Sequence, residues 1–122
     1  MTTAPEIDAP KVDSQLFADL RLAREIIASG WTRGIYRDTA GNVCVLGAVL
    51  SAKYGHPAEA VSGGMLKTPR TQRVLDELVE TLGADPRPGL EWRALADFND
   101  DDSTVHEDVI GLFDATIRRL SE

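Results

Sequence analysis

The side chains best suited to chemistry are Cys44, His106 and the pair Asn99-Asp100. Cys44 lies in Gly41-Asn42-Val43-Cys44-Val45-Leu46-Gly47-Ala48, at or near the start of an expected helix. There the positive end of the helix dipole lowers a thiol's pKa, and helix N–H groups can stabilise an oxyanion. His106 would supply a base, and Asn99 or Asp100 an orienting group. The residue types of a cysteine-dependent hydrolase or transferase are therefore present. Against this, free cysteine is among the most buried residue types, and Val43, Val45 and Leu46 flank Cys44. His106 falls inside an expected capping box, a position that commonly faces solvent. No catalytic residue is assigned, and Cys44, His106 and Asn99 stand as the catalytic alternative.

The acidic stretch also invites a metal reading. Asp97, Asn99, Asp101, Ser103 and Asp108 have the 1, 3, 5, 7, 12 spacing of a calcium loop. Asp102 stands where such a loop needs glycine, and Asp108 is shorter than the usual bidentate glutamate. With one cysteine and two histidines, His56 and His106, a zinc site lacks ligands. Ser62-Gly63-Gly64-Met65 lacks the lysine of a phosphate-binding loop. The expectation is no metal and no cofactor.

Binding is the broader expectation. Aromatic residues anchor protein interfaces, which points to Tyr36 and Trp92, with Asn99 and Asp100 as polar neighbours. Trp31 reads more simply as a cap on the first helix. Asn99 and Asp100 also read as a structural turn bonded to backbone groups. Lys67, Arg70 and Arg73 form a basic segment that could meet an acidic partner, although a solvated face explains them more simply.

These residues need elements to hold them. Residues 1–13 contain Pro5 and Pro10 and read as a flexible N-terminal arm; residues 14–122 read as one helical domain. Ser14 can cap a first helix, whose stripe is Leu16, Leu20, Ala23 and Ile27, flanked by Phe17 and Ile26. Gly30 sits where a left-handed C-cap belongs, and Trp31 can fold back on Ile26. Turn residues Asp38 to Asn42 suggest a short hairpin near 35–45, with an irregular loop about as plausible. Cys44 to Tyr54 suits a helix buried on most sides. Gly47 within it costs about 1 kcal/mol relative to alanine, which implies close approach by a neighbour.

Gly55, His56 and Pro57 would end that helix, and Ser62-Gly63-Gly64 would form a flexible joint. Thr68-Pro69 starts the next helix, with Val74, Leu75, Leu78, Val79 and Leu82 inside and Gly83 as its stop. Leu90 to Phe98 suggests a short helix, and Asn99 to Ser103 an acidic turn. Thr104 and Glu107 form a capping box for a last helix that buries Val105, Val109, Leu112, Phe113, Thr116, Ile117 and Leu120. The fold class is all-α: a compact single domain of four to five helices.

Composition narrows the partner. The chain has 122 residues, 43% of them hydrophobic, and a formal net charge of -7. That balance argues against direct nucleic-acid binding, which needs cations facing phosphates. An acidic mimic of nucleic acid, blocking a DNA- or RNA-binding protein, is a further alternative. No apolar run approaches the roughly 20 residues of a membrane span, and the first residues do not read as a secretory signal. A single cysteine cannot form an internal disulfide, so the expected compartment is the cytoplasm.

Cys-x-x-Gly-Ala on a small-residue helix, then Asn-Asp, then Thr-x-x-Glu-x-Val on a final helix resembles a family of small actinobacterial and actinophage proteins of unknown function. Ala23-x-x-Ile26-Ile27-x-x-Gly30-Trp31 fits the same pattern. The resemblance covers residues 20–120, without a counterpart for 55–68. It implies a compact cytoplasmic domain and carries no mechanism. The combined expectation is an accessory protein that binds another protein, through self-association or to a host or phage factor.

Overall fold

The computed structural model describes residues 4–54 and 68–122. Five helices follow in order: α1 (Ala4–Ser29), α2 (Val45–Tyr54), α3 (Pro69–Leu82), α4 (Glu91–Asp100) and α5 (His106–Ser121). The all-α expectation holds. α1 starts at Ala4, so residues 4–13, expected as a loose arm, continue the helix instead. Pro5 falls in the first turn, where its missing N–H forfeits no helical bond. The expected helix end at Gly55-His56-Pro57, the joint at Ser62-Gly63-Gly64 and Lys67 lie outside the described residues.

The α1–α2 connection forms no hairpin. Val43 makes isolated bridges to Trp31, in parallel, and to Arg37, antiparallel. Gly34 and Gly41 take positive φ of 77° and 90°, and beyond the single Arg37–Val43 pair no antiparallel ladder forms among the described residues. Gly30 is not the left-handed cap either; its φ is not positive. A Cβ there would overlap the Asn42 side chain, so close approach, not turn geometry, demands this glycine.

The apolar stripes are where their periods place them, except that Val105, expected inside the last helix, precedes it and is 51% exposed. Leu16, Leu20, Ala23 and Ile27 of α1 are buried with Val74, Leu75, Leu78 and Val79 of α3 and Val109, Leu112 and Phe113 of α5. Each of these side chains but Ala23 contributes roughly 1.5–3 kcal/mol by leaving water. α2 touches α1, α3 and α4, and Val45 to Leu50 is buried without a break. That is why its sequence shows almost no polar face.

Among the described residues, three arginine–carboxylate pairs tie α1, α3 and α5 to one another. Arg24 bonds Asp114 through Nε at 3.0 Å, and Arg119 reaches Glu77 through Nη2 at 2.7 Å. Arg70 bonds both oxygens of the buried Asp19, at 2.9 and 2.7 Å. The expected basic segment is thus partly spent inside the fold.

Helix ends follow the sequence at α3 and depart from it at α5. Thr68 caps α3 with Pro69 behind it, and Gly83 closes it at φ 81° with its N–H directed at Val79 and Glu80 carbonyls. α5 begins at His106, two residues beyond Thr104. Thr104 is buried, and its carbonyl accepts from Arg33. Asp108, not Glu107, reaches back, accepting from the Val105 N–H at 3.0 Å. The reason is position: with the helix starting later, residue 108 occupies the third helical place. Asp108→Ala should therefore cost about 0.5 kcal/mol more than Glu107→Ala in a urea melt, because both carboxylates meet the helix dipole but only Asp108 makes the cap bond.

Candidate functional site

α2 begins against the irregular segment 31–43 and against α4. Cys44 occupies the position before its first helical residue, and its Sγ accepts from the Gly47 N–H at 3.3 Å. A thiol here takes the place usually held by serine, threonine or aspartate. The Cys44 N–H donates to the Tyr36 carbonyl at 3.2 Å. The Tyr36 carbonyl also lies over Gly47, where any Cβ would overlap it. The close approach expected at Gly47 is real, and the approaching element is this segment.

Asn99 binds the region together. It is 1% exposed and lies in the last turn of α4, not in a loop. Its Oδ1 accepts from the Trp31 indole at 2.8 Å and from the Val45 N–H at 3.0 Å. Its Nδ2 donates to the Thr32 carbonyl at 3.1 Å and to Asp100 Oδ1 at 3.0 Å. A primary amide offers two acceptor and two donor places, and all four are used. Asp100 Oδ1 also accepts from the Gly34 N–H at 2.8 Å.

These contacts leave a pocket of about 250 Å³ lined by Ile35, Tyr36, Cys44, Trp92, Asn99 and Asp100, with Gly34, Leu46 and Ala96 completing its wall. All four residues expected to bind, Tyr36, Trp92, Asn99 and Asp100, meet here. Ile35 was not foreseen; it is 54% exposed, and its only sequence signal is an apolar residue beside a turn.

His106 does not line this pocket. Its Nε2 donates to the Ile27 carbonyl in the last turn of α1 at 2.7 Å. Its ring stacks on Trp31, with centroids 5.8 Å apart and planes at 17°. The half-buried imidazole closes the end of α1. Cys44 and Asn99 meet, but the base of the hydrolase alternative is engaged elsewhere. The calcium alternative lacks its loop: Asp97 and Asn99 lie on α4, and Asn99 Oδ1 is fully used. Among the described residues no group of three acidic, histidine or cysteine side chains could hold a metal ion.

Burial pushes the Cys44 thiol up from its usual range, and the Asp100 charge adds to that; the N–H groups of Gly47 and Leu46 oppose it without prevailing. Burial, and then the Cys44 charge, push the Tyr36 phenol up as well. Both groups stay neutral in the native protein at near-neutral pH. Native protein should resist a thiol–disulfide reagent that labels the urea-unfolded chain at once. The sign with pH follows. The unfolded chain releases these protons first as pH rises, so stability is fully present below the ordinary thiol range and falls above it. Cys44→Ala should flatten that fall in urea midpoints taken from about pH 7 to 10.

Residues 13–119 match a family of unknown function, DUF6197. The chain belongs to that family. No curated protein and no solved structure matches it. The DUF6197 match takes in α2, α3 and α4 whole, most of α1 and α5, and every residue of the pocket. Among the described residues no helix is long and apolar enough to cross a membrane.

Proposed function

We propose that this protein acts by binding another protein, a host or phage factor met in the cytoplasm, and that the pocket receives one anchoring side chain of that partner. One observation carries the reading: Ile35, Tyr36 and Trp92 converge on a pocket of about 250 Å³. Sites for small molecules usually span about 300–1,000 Å³. This one is smaller, yet it has room for one large side chain. Aromatic residues around a desolvated pocket are the usual anchor of a protein interface. The engaged His106 and the neutral Cys44 favour binding over covalent chemistry.

The test uses tagged protein on host lysate, beside Ile35→Asp and Cys44→Ala. Ile35 is exposed, so the charge it gains should leave the melting temperature unchanged. A partner enriched by wild type and Cys44→Ala but lost with Ile35→Asp supports the reading. A partner that Ile35→Asp retains, or no partner with folded wild type, overturns it.

A further inference from the structure

We infer that the side chain this pocket takes is cationic, the tip of an arginine or lysine on the partner. The inference rests on the binding reading above and adds the chemistry of the occupant. The pocket joins two aromatic residues, Tyr36 and Trp92, to one carboxylate, Asp100. A cation gains from an aromatic face, tryptophan most of all, and a carboxylate beside that face completes its recognition.

Asp100 is set up for this. It is exposed, yet both of its hydrogen bonds end on Oδ1, from Gly34 and Asn99. The carboxylate is therefore fixed in orientation, and Oδ2 has no such bond among the described residues. Asp97, Asp101 and Asp102 stand close by in sequence on a chain of net charge -7. Their summed field steers positive groups toward this end of α4.

Two of the chain's own cations nearby, Arg33 and Arg93, are engaged or line another surface. Arg33 lies over the Trp31 ring at 4.7 Å and donates to the Thr104 carbonyl. Arg93 follows Trp92 in sequence but lines a separate depression with Asp85 and Asp97. Arg33 on Trp31 is also an internal precedent for the contact proposed: a guanidinium on an indole.

The probe is n-butylguanidinium chloride, with n-butylurea as its uncharged counterpart, at millimolar concentration and matched ionic strength. The readouts are the Trp92 indole N–H and the Gly34 amide in ¹⁵N NMR. Butylguanidinium should shift both signals in a saturable way, and butylurea should not. Asp100→Asn keeps an oxygen for the Gly34 and Asn99 donors, so the fold is retained while the charge goes. It should weaken butylguanidinium about fivefold.

Equal shifts from butylurea, or an unweakened Asp100→Asn, would overturn the cationic occupant and leave an apolar anchor pocket. No shift from either probe, with partner capture still lost in Ile35→Asp, would overturn the cation alone. Partner capture that survives Ile35→Asp removes the binding reading itself.

Discussion

Asn99→Ala should lower unfolding stability by about 4 kcal/mol in urea. Truncation leaves the Trp31 indole, the Val45 N–H and the Thr32 carbonyl without their partner. A buried polar group left unpaired costs about 1–3 kcal/mol. Val45 is fully buried, so its N–H carries most of that penalty, while half-buried Trp31 recovers part from water. Asn99→Asp separates the effects. It retains an acceptor for both N–H groups but removes both donors and sets a second carboxylate beside Asp100. Its cost should fall between wild type and Asn99→Ala. A loss below about 1 kcal/mol for Asn99→Ala would show that water replaces the amide.

Gly47→Ala should destabilise by about 3 kcal/mol, where the same change at an ordinary helical site stabilises by about 1 kcal/mol. The added methyl would overlap the Tyr36 carbonyl and press on the Val43 side chain, whose Cβ lies 3.3 Å away. Neither neighbour is a flexible tip. Relief requires moving the 31–43 segment, which also breaks the Cys44 N–H bond to Tyr36. Thermal melting measures the loss, and the reversal of sign is the informative part. Tyr36 lines the pocket, so on the proposed binding role the variant should also weaken partner capture. An unchanged melting curve would show that the segment yields freely.

What the sequence reveals and what it hides divide along the range of the interactions. The stripe on α3, its Thr68-Pro69 start and its Gly83 stop rest on neighbours three or four residues away, and all are legible. The need for close approach at Gly47 is legible too, because glycine inside an apolar helix requires a reason. Asn99 is not. A helical asparagine whose amide serves residues 31, 32 and 45 has the same local signature as a turn asparagine. His106 misleads for the same reason: its partner, Ile27, is 79 residues away. Tyr36 and Trp92 stand out by type, but their meeting at one pocket depends on where α4 docks. Thr104 has the right spacing for a cap, yet the helix starts two residues later and Asp108 takes that role.

The Asn99 amide also sets an order of events during synthesis. Its acceptor oxygen serves Val45 from 54 residues downstream and Trp31 from 68 residues downstream. At about 5–20 residues per second, the ribosome has made α2 roughly 2–9 s before it makes the group that holds the start of that helix. Loop closure over such distances comes late in folding. Until α4 exists, the first turn of α2 must fray or be hydrated, and Tyr36 and Cys44 have no fixed pocket to line. The nascent chain thus cannot close this pocket until α4 has been translated.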